Sequence, residues 1–196
     1  MVRAPRADAL RNRALVLEAA RTGFSSDGPD LSLDEIARRA GVGAGTVHRH
    51  FPTKESLLAA VIVERLSAMT DRIRNQLESE DPVAAFTAAV RELTSEAREN
   101  MALSDALGMD AGPSAAEAGA RLSAALGALL SRAQAAGSIR PDITVLDLHA
   151  VLAGAITIER GLSAEHSGLG LDVVLAGLRS SPGSGSLVKS DNVLHQ

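Results

Sequence analysis

The sequence predicts an all-α protein with a small N-terminal head and a larger C-terminal helical bundle. Apolar residues make up 45% of the 196-residue chain, and the strong helix formers alanine and leucine dominate. Apolar side chains also recur at helical spacing through most of the chain, which predicts about nine helices in total. Only 2% of residues are aromatic, with no Trp or Tyr, so we expect an aliphatic core.

Breaks in this pattern divide the chain into three parts. Residues 1–56 are predicted to form a three-helix head, and residues 57–180 a larger helical domain. Residues 181–196 are rich in Ser and Gly, which predicts a disordered tail. The basic segment 1–8 has two open interpretations, a frayed terminus or an arm that reaches a DNA groove.

Charge is distributed unevenly between these parts. The whole chain carries a net charge of −4, but residues 1–56 hold nine Lys/Arg against seven Asp/Glu. Residues 57–196 hold eleven against seventeen. A positive head on an acidic body is consistent with binding of a polyanion at the head.

Several functional classes receive no support from the composition. The absence of cysteine excludes disulfides and thiol chemistry. Arginines interrupt any N-terminal apolar run, and no apolar run is long enough to span a bilayer, so a cytoplasmic protein is expected. His48 and His50 stand two apart and cannot share a metal on a helix, and no cofactor or metal site is predicted.

The head is predicted to begin with a helix over residues 8–24. Its apolar positions, Leu10, Ala14, Leu17 and Phe24, fall on one side, so the helix should pack rather than read DNA. Residues 25–30 form a loop by composition.

Residues 31–58 contain the stretch around which the chain is organised. Ser32 and Glu35 are spaced as a capping box at the start of a short helix, and Gly41 stands where that helix should end. A second short helix is predicted over residues 44–50, with Pro52 stopping it and Thr53 capping the next. Two short helices joined by a glycine-containing turn form a helix-turn-helix, whose second helix fits the DNA major groove.

The stretch IARRAGV (residues 36–42) followed by GTVHRHFPTKESL (45–57) resembles the DNA-binding domain of tetracycline-repressor-like (TetR family) regulators. The resemblance is dense over residues 10–58 and rests on length and helical character beyond. The family usually has a tyrosine at the position of His48, where it touches a DNA phosphate, and often a Ser or Thr cap at the position of Gly43. The resemblance implies a homodimeric transcriptional regulator that binds an operator.

Roles in DNA binding follow from the recognition-helix geometry and from this resemblance. The N-terminal residues Ala44, Gly45 and Thr46 should lie nearest the base edges, and Arg49 should reach guanine or a phosphate. His48 and His50 should meet the backbone. Ser32 and Lys54 are also predicted to contact DNA, because they stand at helix starts, where free N–H groups favour a phosphate.

The body is predicted to contain six helices, with breaks at residues 79–82, at 111–114 and around Gly137. The first helix runs from Thr53 to about residue 77, and others are predicted over 82–98, 101–109, 114–136, 142–162 and 169–178. Asp81 and Pro82 should start one helix, and a second capping box is predicted at Ser114 and Glu117.

A mostly apolar pocket for a small hydrophobic or acyl-like effector is predicted in the body. For the methionines of this set, ordinary packing in the core is an equally good interpretation. For its histidine, a position in the core or at an interface is a better interpretation than ligand contact. The candidate lining residues are Met69, Phe86, Leu93, Met101, Met109, Leu126 and His149.

The last two helices are apolar on more than one face, which predicts burial on both sides and, in a chain this short, a homodimer interface. The candidate interface residues are Val151, Gly154, Ile158, Leu171, Val174, Leu175 and Leu178.

Together with these patterns, the resemblance implies a sequence-specific transcriptional regulator, most simply a repressor that a small ligand releases from double-stranded operator DNA, and not an enzyme. Two alternatives stay open. One is a helical interaction module that does not bind DNA. The other is a helical-bundle enzyme, which requires a clustered acid/base or metal set that the sequence does not offer.

Overall fold

The computed structural model describes residues 5–28, 30–107 and 112–180, with the side chains of residues 5, 6, 97–107, 160 and 164 left aside. Over these ranges the chain is all-helical, with eight α-helices, one short 3₁₀ turn and no strand. The elements are α1 (Pro5–Asp27), α2 (Leu33–Ala40), α3 (Ala44–His50), α4 (Lys54–Gln76), α5 (Pro82–Leu107), α6 (Gly112–Ala135), α7 (Val145–Gly161), η1 (Ala164–His166) and α8 (Leu169–Leu178). None of the helices in the described ranges combines the length and apolar character needed to cross a bilayer.

The chain forms two compact units, each assembled from separate stretches of sequence. Among the described residues, the first unit contains those up to residue 75 and those from 92 to 125, and the second contains those from 76 to 91 and from 126 to 180. The predicted domain boundary after residue 56 falls inside α4, which continues without interruption from Lys54 to Gln76. That boundary therefore stays a prediction about function rather than a visible break in the chain. The predicted tail, 181–196, lies outside the described residues.

Most predicted helix ends are confirmed by local hydrogen bonds. Asp81 Oδ1 accepts from the backbone N–H groups of Val83 and Ala84 at 3.0 and 2.9 Å, which starts α5 at Pro82. Gly137 has a φ of +77°, a left-handed conformation that suits glycine at the end of α6. Local sequence signals thus place these ends to within a residue or two.

Three predictions about the helices were wrong. Residues 101–109 do not form a separate helix, because α5 continues to Leu107 and the predicted count of nine becomes eight. Ser114 does not cap α6, since that helix already begins at Gly112. Leu10 is 67% exposed rather than packed, because the buried side of α1 is rotated toward Val16 and Ala20.

In the second unit, hydrogen bonds join the segment after α6 to the end of α8. Arg140 N–H donates to the Leu178 carbonyl at 2.9 Å, and Ser180 N–H donates to the Ser138 carbonyl at 3.0 Å. Ile139, which stands between them, forms an isolated antiparallel bridge with Arg179 and is buried. These contacts fix the end of α8 against the loop that follows α6.

Candidate nucleic-acid interface

A continuous apolar core holds α1, α2, α3 and the start of α4 together. Val47, on the inner side of α3, is fully buried, and Phe51 at its C-terminal end is nearly so. The guanidinium of Arg13 stacks over the Phe51 ring at 5.6 Å from its centroid. The buried members of this core are Val16, Leu17, Ala20, Phe24, Ile36, Ala37, Val42, Val47, Phe51, Leu57, Leu58 and Val61.

The turn between α2 and α3 sets the direction of α3. Gly41 adopts the left-handed conformation with φ +64° and ψ +27°, and Val42 N–H donates to the Ala37 carbonyl at 3.0 Å. Val42 is thereby buried against the core. These features confirm the helix-turn-helix predicted from the glycine and the apolar spacing.

The outer face of α3 carries the residues predicted to read DNA. Ala44 and Gly45 are exposed, and Thr46 is half-buried. A Cβ atom added at Gly45 would meet nothing within 4 Å, so a large partner can approach this part of the backbone. Arg49 is exposed one turn later and has no ion pair or hydrogen bond within the described residues. The face therefore presents bare backbone, one hydroxyl and one long cation to solvent.

The arginines of α2 are engaged in ion pairs. Glu35 accepts from Arg38 Nε at 2.8 Å and from Arg39 Nε at 2.9 Å, and Arg39 also pairs with Asp27 at the end of α1. The Arg38 and Arg39 guanidinium groups hold the pKa of the Glu35 carboxyl at about 2. Arg39 thereby links α2 to the end of α1, whereas Arg38 pairs within α2 itself.

The predicted capping box at Ser32 is only half present. Ser32 Oγ accepts from the Glu35 N–H at 3.2 Å, as expected. The reciprocal bond, in which the Ser32 N–H would donate to the Glu35 carboxylate, is not part of this cap. That carboxylate is turned toward Arg38 and Arg39 instead. A charged acceptor with two guanidinium partners gains more from them than from one backbone N–H.

Ser32, His48 and Lys54, which are separated in the sequence, line one surface cleft of about 470 Å³. Thr53 also lines this cleft. It caps α4, because Thr53 Oγ1 accepts from Ser56 N–H at 3.1 Å and Ser56 Oγ accepts from Thr53 N–H at 3.2 Å. The cleft therefore combines two helix N-termini and a cation, which favour an anion, with the carboxylates of Asp30 and Asp34, which oppose one.

Sequence reasoning missed the acidic side of this cleft. Asp34 Oδ1 lies 3.2 Å from His48 Nε2, and Asp30 also lines the cleft. Asp34 reads in sequence as an ordinary first-turn residue of α2. Only the fold, which turns α3 back across α2, brings it against His48.

A second cleft, of about 280 Å³, was also missed. It lies within the first unit and is lined by α1, α4 and α5. Arg65 on α4 donates to Glu96 on α5 at 2.6 Å, and Arg72 pairs with Glu92 and Glu96. These residues are scattered through the sequence, and no local pattern relates them.

The residues predicted to line an effector pocket fall in both compact units. Met69 is buried and Leu93 half-buried in the first unit, whereas Phe86 and Leu126 are buried in the second. His149 is exposed on α7. The Met101 side chain and the whole of Met109 lie outside the described residues.

The residues predicted to form a dimer interface divide by exposure. Leu171, Leu175 and Leu178 are buried within the chain itself. Val151 and Ile158 are 40% and 54% exposed on α7, Gly154 is exposed between them, and Val174 is half-buried on α8. Further large apolar side chains are exposed nearby in sequence, namely Leu146, Leu169 and Val173.

Comparisons with known protein families agree with the helix-turn-helix head and the helical C-terminal part described above. Residues 16–61 match the family model for bacterial regulatory proteins of the tetR family, and residues 81–180 match a model described as the C-terminal domain of SbtR-like transcriptional regulators.

Solved structures of two regulators are similar over most of the chain. A TetR transcription regulatory protein from Mycobacterium vanbaalenii is 42% identical with a TM-score of 0.71, covering 89% of this chain and 99% of that one. The TetR regulator SCO0520 from Streptomyces coelicolor is 35% identical with a TM-score of 0.69, covering 85% and 98%.

Among curated proteins, the uncharacterised HTH-type transcriptional regulator TtgW of Pseudomonas putida is 42% identical over 66 residues, covering 33% of this chain and 49% of that protein. The chain spans about half the length or less of the curated relatives it matches first. The C-terminal model alone covers half of this chain, and the Mycobacterium regulator is matched over nearly its whole length. The chain therefore belongs to the TetR family of transcriptional regulators.

Proposed function

We propose that this protein is a sequence-specific DNA-binding repressor that a small ligand, bound in its C-terminal part, releases from operator DNA. The observation that carries the proposal is the outer face of α3. It begins with the exposed residues Ala44 and Gly45, and one turn later it presents exposed Arg49, which has no ion pair or hydrogen bond within the described residues. A recognition helix reads bases with its N-terminal residues while nearby donors hold the phosphates.

The proposed roles of the head residues follow from their positions. Gly45 allows close approach to the groove, and the Thr46 hydroxyl and methyl read a base or a thymine methyl. Arg49 reaches a guanine or a phosphate. The cleft residues Ser32, His48 and Lys54, with His50 at the end of α3, hold the backbone phosphates.

For the effector, we propose a small hydrophobic or acyl-like compound. Support comes from the aliphatic side chains that dominate the body and from the absence of Trp and Tyr, which leaves no indole or phenol to stack on a polyaromatic cation. Phe86 and Leu126, which are both buried in the second compact unit, are the candidates whose placement fits an apolar lining.

For assembly, we propose a homodimer through the exposed faces of α7 and α8, in the cytoplasm, where operator DNA is found. Val151, Ile158 and Val173 are large apolar side chains on these faces. Exposed apolar groups that adjoin one another favour an interface. Leu171, Leu175 and Leu178 are buried within the chain, where they support α8 behind the proposed contact surface.

A mobility-shift titration with the DNA upstream of the protein's own coding region tests the DNA-binding part. We expect a retarded complex that survives competition by a scrambled duplex and is lost in Arg49→Ala. Equal affinity for both duplexes would contradict sequence-specific repression, and no complex with either would favour the interaction module instead.

The effector part is tested on the protein alone by thermal unfolding. We expect decanoic acid to raise the midpoint, since a ligand that binds only the folded state stabilises it, and the cation rhodamine 6G to leave it unchanged. Decanoic acid should also dissociate the retarded complex. Stabilisation by the cation alone would contradict the proposed ligand class.

A further inference from the structure

Arg13 on α1 is an exposed cation at the edge of the core that holds the head together. It stands three and four residues before the buried Val16 and Leu17, so it continues the buried side of α1 by one turn toward the N-terminus. Its guanidinium carbon lies 5.6 Å from the centroid of the Phe51 ring, and Phe51 is only 3% exposed. Arg13 thus covers an aromatic ring at the point where the apolar stripe of α1 ends.

Most other arginines of the head are bound to carboxylates. Those with an ion pair are Arg11, Arg21, Arg38 and Arg39. Arg13 and Arg49 differ from them, because neither has an ion pair or a hydrogen bond within the described residues. Their charges are therefore not neutralised by a neighbouring carboxylate in this part of the chain.

Stacking on Phe51 leaves the donors of Arg13 available. A guanidinium stacks through its flat face, whereas its five N–H groups lie in the plane of the group and point outward. The ring also restricts the orientation of a side chain that is otherwise long and flexible. A guanidinium held in this way can give two parallel hydrogen bonds to the oxygens of a phosphate.

The position of Phe51 places Arg13 beside the proposed DNA contact. Phe51 is the residue at the C-terminal end of α3, and its ring centroid lies 6.3 Å from that of His50. His50 and Arg49, at the end of the same helix, already have proposed contacts with DNA. The phosphates of both strands border the groove that a recognition helix enters.

We propose that Arg13 is a further phosphate contact, which extends the DNA interface from α2, α3 and the start of α4 to α1. The inference rests on the proposed DNA-binding function and adds a residue to it. A phosphate contact carries no sequence information, so Arg13 should strengthen binding to all sequences alike. Its loss should weaken binding about tenfold and lower the salt slope by about one unit per protomer.

The test is a fluorescence-anisotropy titration of the full chain at several salt concentrations. The probes are a labelled duplex from upstream of its own coding region and a scrambled duplex. Arg13→Leu removes the charge and keeps an apolar group over Phe51, so it should fold, bind both duplexes more weakly by the same factor and show the lower salt slope. Arg13→Lys keeps the charge without the planar fork. It should keep the salt slope and lose part of the affinity.

Arg21→Leu is the matched control, because it removes the same charge from the same helix. The Arg21 guanidinium is bound to Glu18, with Nε 2.9 Å from Oε2. This variant should keep the affinity and the salt slope of the wild type, and thermal unfolding should show that all variants are folded. Equal losses in Arg13→Leu and Arg21→Leu would assign the effect to net charge and overturn the inference.

Chemical rescue separates charge from packing within one variant. Because the chain has no cysteine, Arg13→Cys can be modified at that position alone. Aminoethyl methanethiosulfonate attaches a cation there, and methyl methanethiosulfonate attaches a neutral group of the same kind. We expect only the cationic reagent to restore the affinity and the salt slope.

The outcomes distinguish this inference from the function on which it rests. Recovery with both reagents would mean that Arg13 acts by packing on Phe51, and recovery with neither would remove the phosphate contact. A wild type that binds DNA as tightly as Arg13→Leu, with the same salt slope, overturns this inference alone. A wild type that binds neither duplex overturns the proposed function as well.

Discussion

The carboxylate of Glu159 on α7 accepts a 2.7 Å hydrogen bond from the backbone N–H of Gly170 in the first turn of α8. The same carboxylate accepts from Gly168 N–H at 2.7 Å and Leu171 N–H at 3.3 Å, and Glu159 is buried. One side chain thus satisfies three N–H groups at a helix start, where a negative charge is stabilised. It fixes the angle at which α8 leaves α7.

The first prediction concerns this cap. Glu159→Ala leaves buried N–H groups without an acceptor, so we expect it to lower the free energy of unfolding by about 2–3 kcal/mol. Urea denaturation measures the change. Glu165→Ala, at an exposed carboxylate in η1, is the control and should stay within about 0.5 kcal/mol of wild type. Equal effects in the two variants would mean that the cap contributes little to stability.

Gly170 provides a second prediction. A Cβ atom at this position would lie 3.0 Å from Glu159 Oε1 and 3.2 Å from Ile158 Cγ2. Gly170→Ala should therefore destabilise the protein even though alanine favours helix, because the carboxylate must move. Gly119→Ala on α6 meets nothing within 4 Å and should be neutral or stabilising by up to about 1 kcal/mol. Thermal unfolding of both variants distinguishes close packing from helix propensity.

A third prediction concerns acid stability of the head. Because the pKa of Glu35 is held at about 2 by Arg38 and Arg39, its contribution to stability is fully present above the unfolded value near 4.5. That contribution is lost as the pH falls toward 2. The difference in urea midpoint between wild type and Glu35→Gln should therefore shrink between pH 4.5 and 2. Glu80→Gln, at an exposed position without an ion pair in the described part of the chain, should show no such narrowing.

A fourth prediction separates phosphate contact from base reading. Lys54→Ala should weaken binding to all sequences and lower the salt slope by about one unit. Thr46→Ala should instead narrow the gap between operator and scrambled DNA by roughly 1–3 kcal/mol. Titrations of both duplexes at several salt concentrations measure these effects. An unchanged salt slope in Lys54→Ala would contradict the proposed docking of the α4 N-terminus.

The fifth prediction tests assembly. Val151→Asp and Ile158→Asp place a charge on the exposed apolar face of α7, and each should convert a dimer into a folded monomer in sedimentation velocity, since an unpaired charge is poorly tolerated in an interface. Ser131→Asp adds the same charge on an exposed position of α6 and should leave the dimer intact. A wild-type chain that sediments as a monomer at micromolar concentration would refute the proposed interface.

Local signals predicted α2 and α3 almost residue by residue, whereas α1 runs from Pro5 to Asp27 and not from 8 to 24. Gly41 needs a left-handed conformation, Pro52 follows the end of α3, and Val47 and Phe51 sit at helical spacing on one side. Each of these depends only on neighbouring residues. Local patterns did not predict that Arg38 and Arg39 would compete with the Ser32 N–H for the Glu35 carboxylate.

Contacts between distant segments explain most of the remaining errors and omissions. The exposure of Leu10 depends on how α1 is rotated against α2. Asp34 meets His48 only because α3 crosses α2. The capping box of Thr144 and Asp147 is a different case, because its sequence signal was present and was overlooked.

The sparsely substituted first turn of α3 has a consequence for how this protein can change. Gly43 has an ordinary φ of −60°, and an added Cβ at Gly43 or Gly45 would meet nothing within 4 Å. Ala44 between them is exposed. The three positions can therefore accept new side chains without disturbing the core that holds α3 in place. A library randomised at residues 43–45 should fold as the parent does and differ mainly in the DNA sequences it prefers.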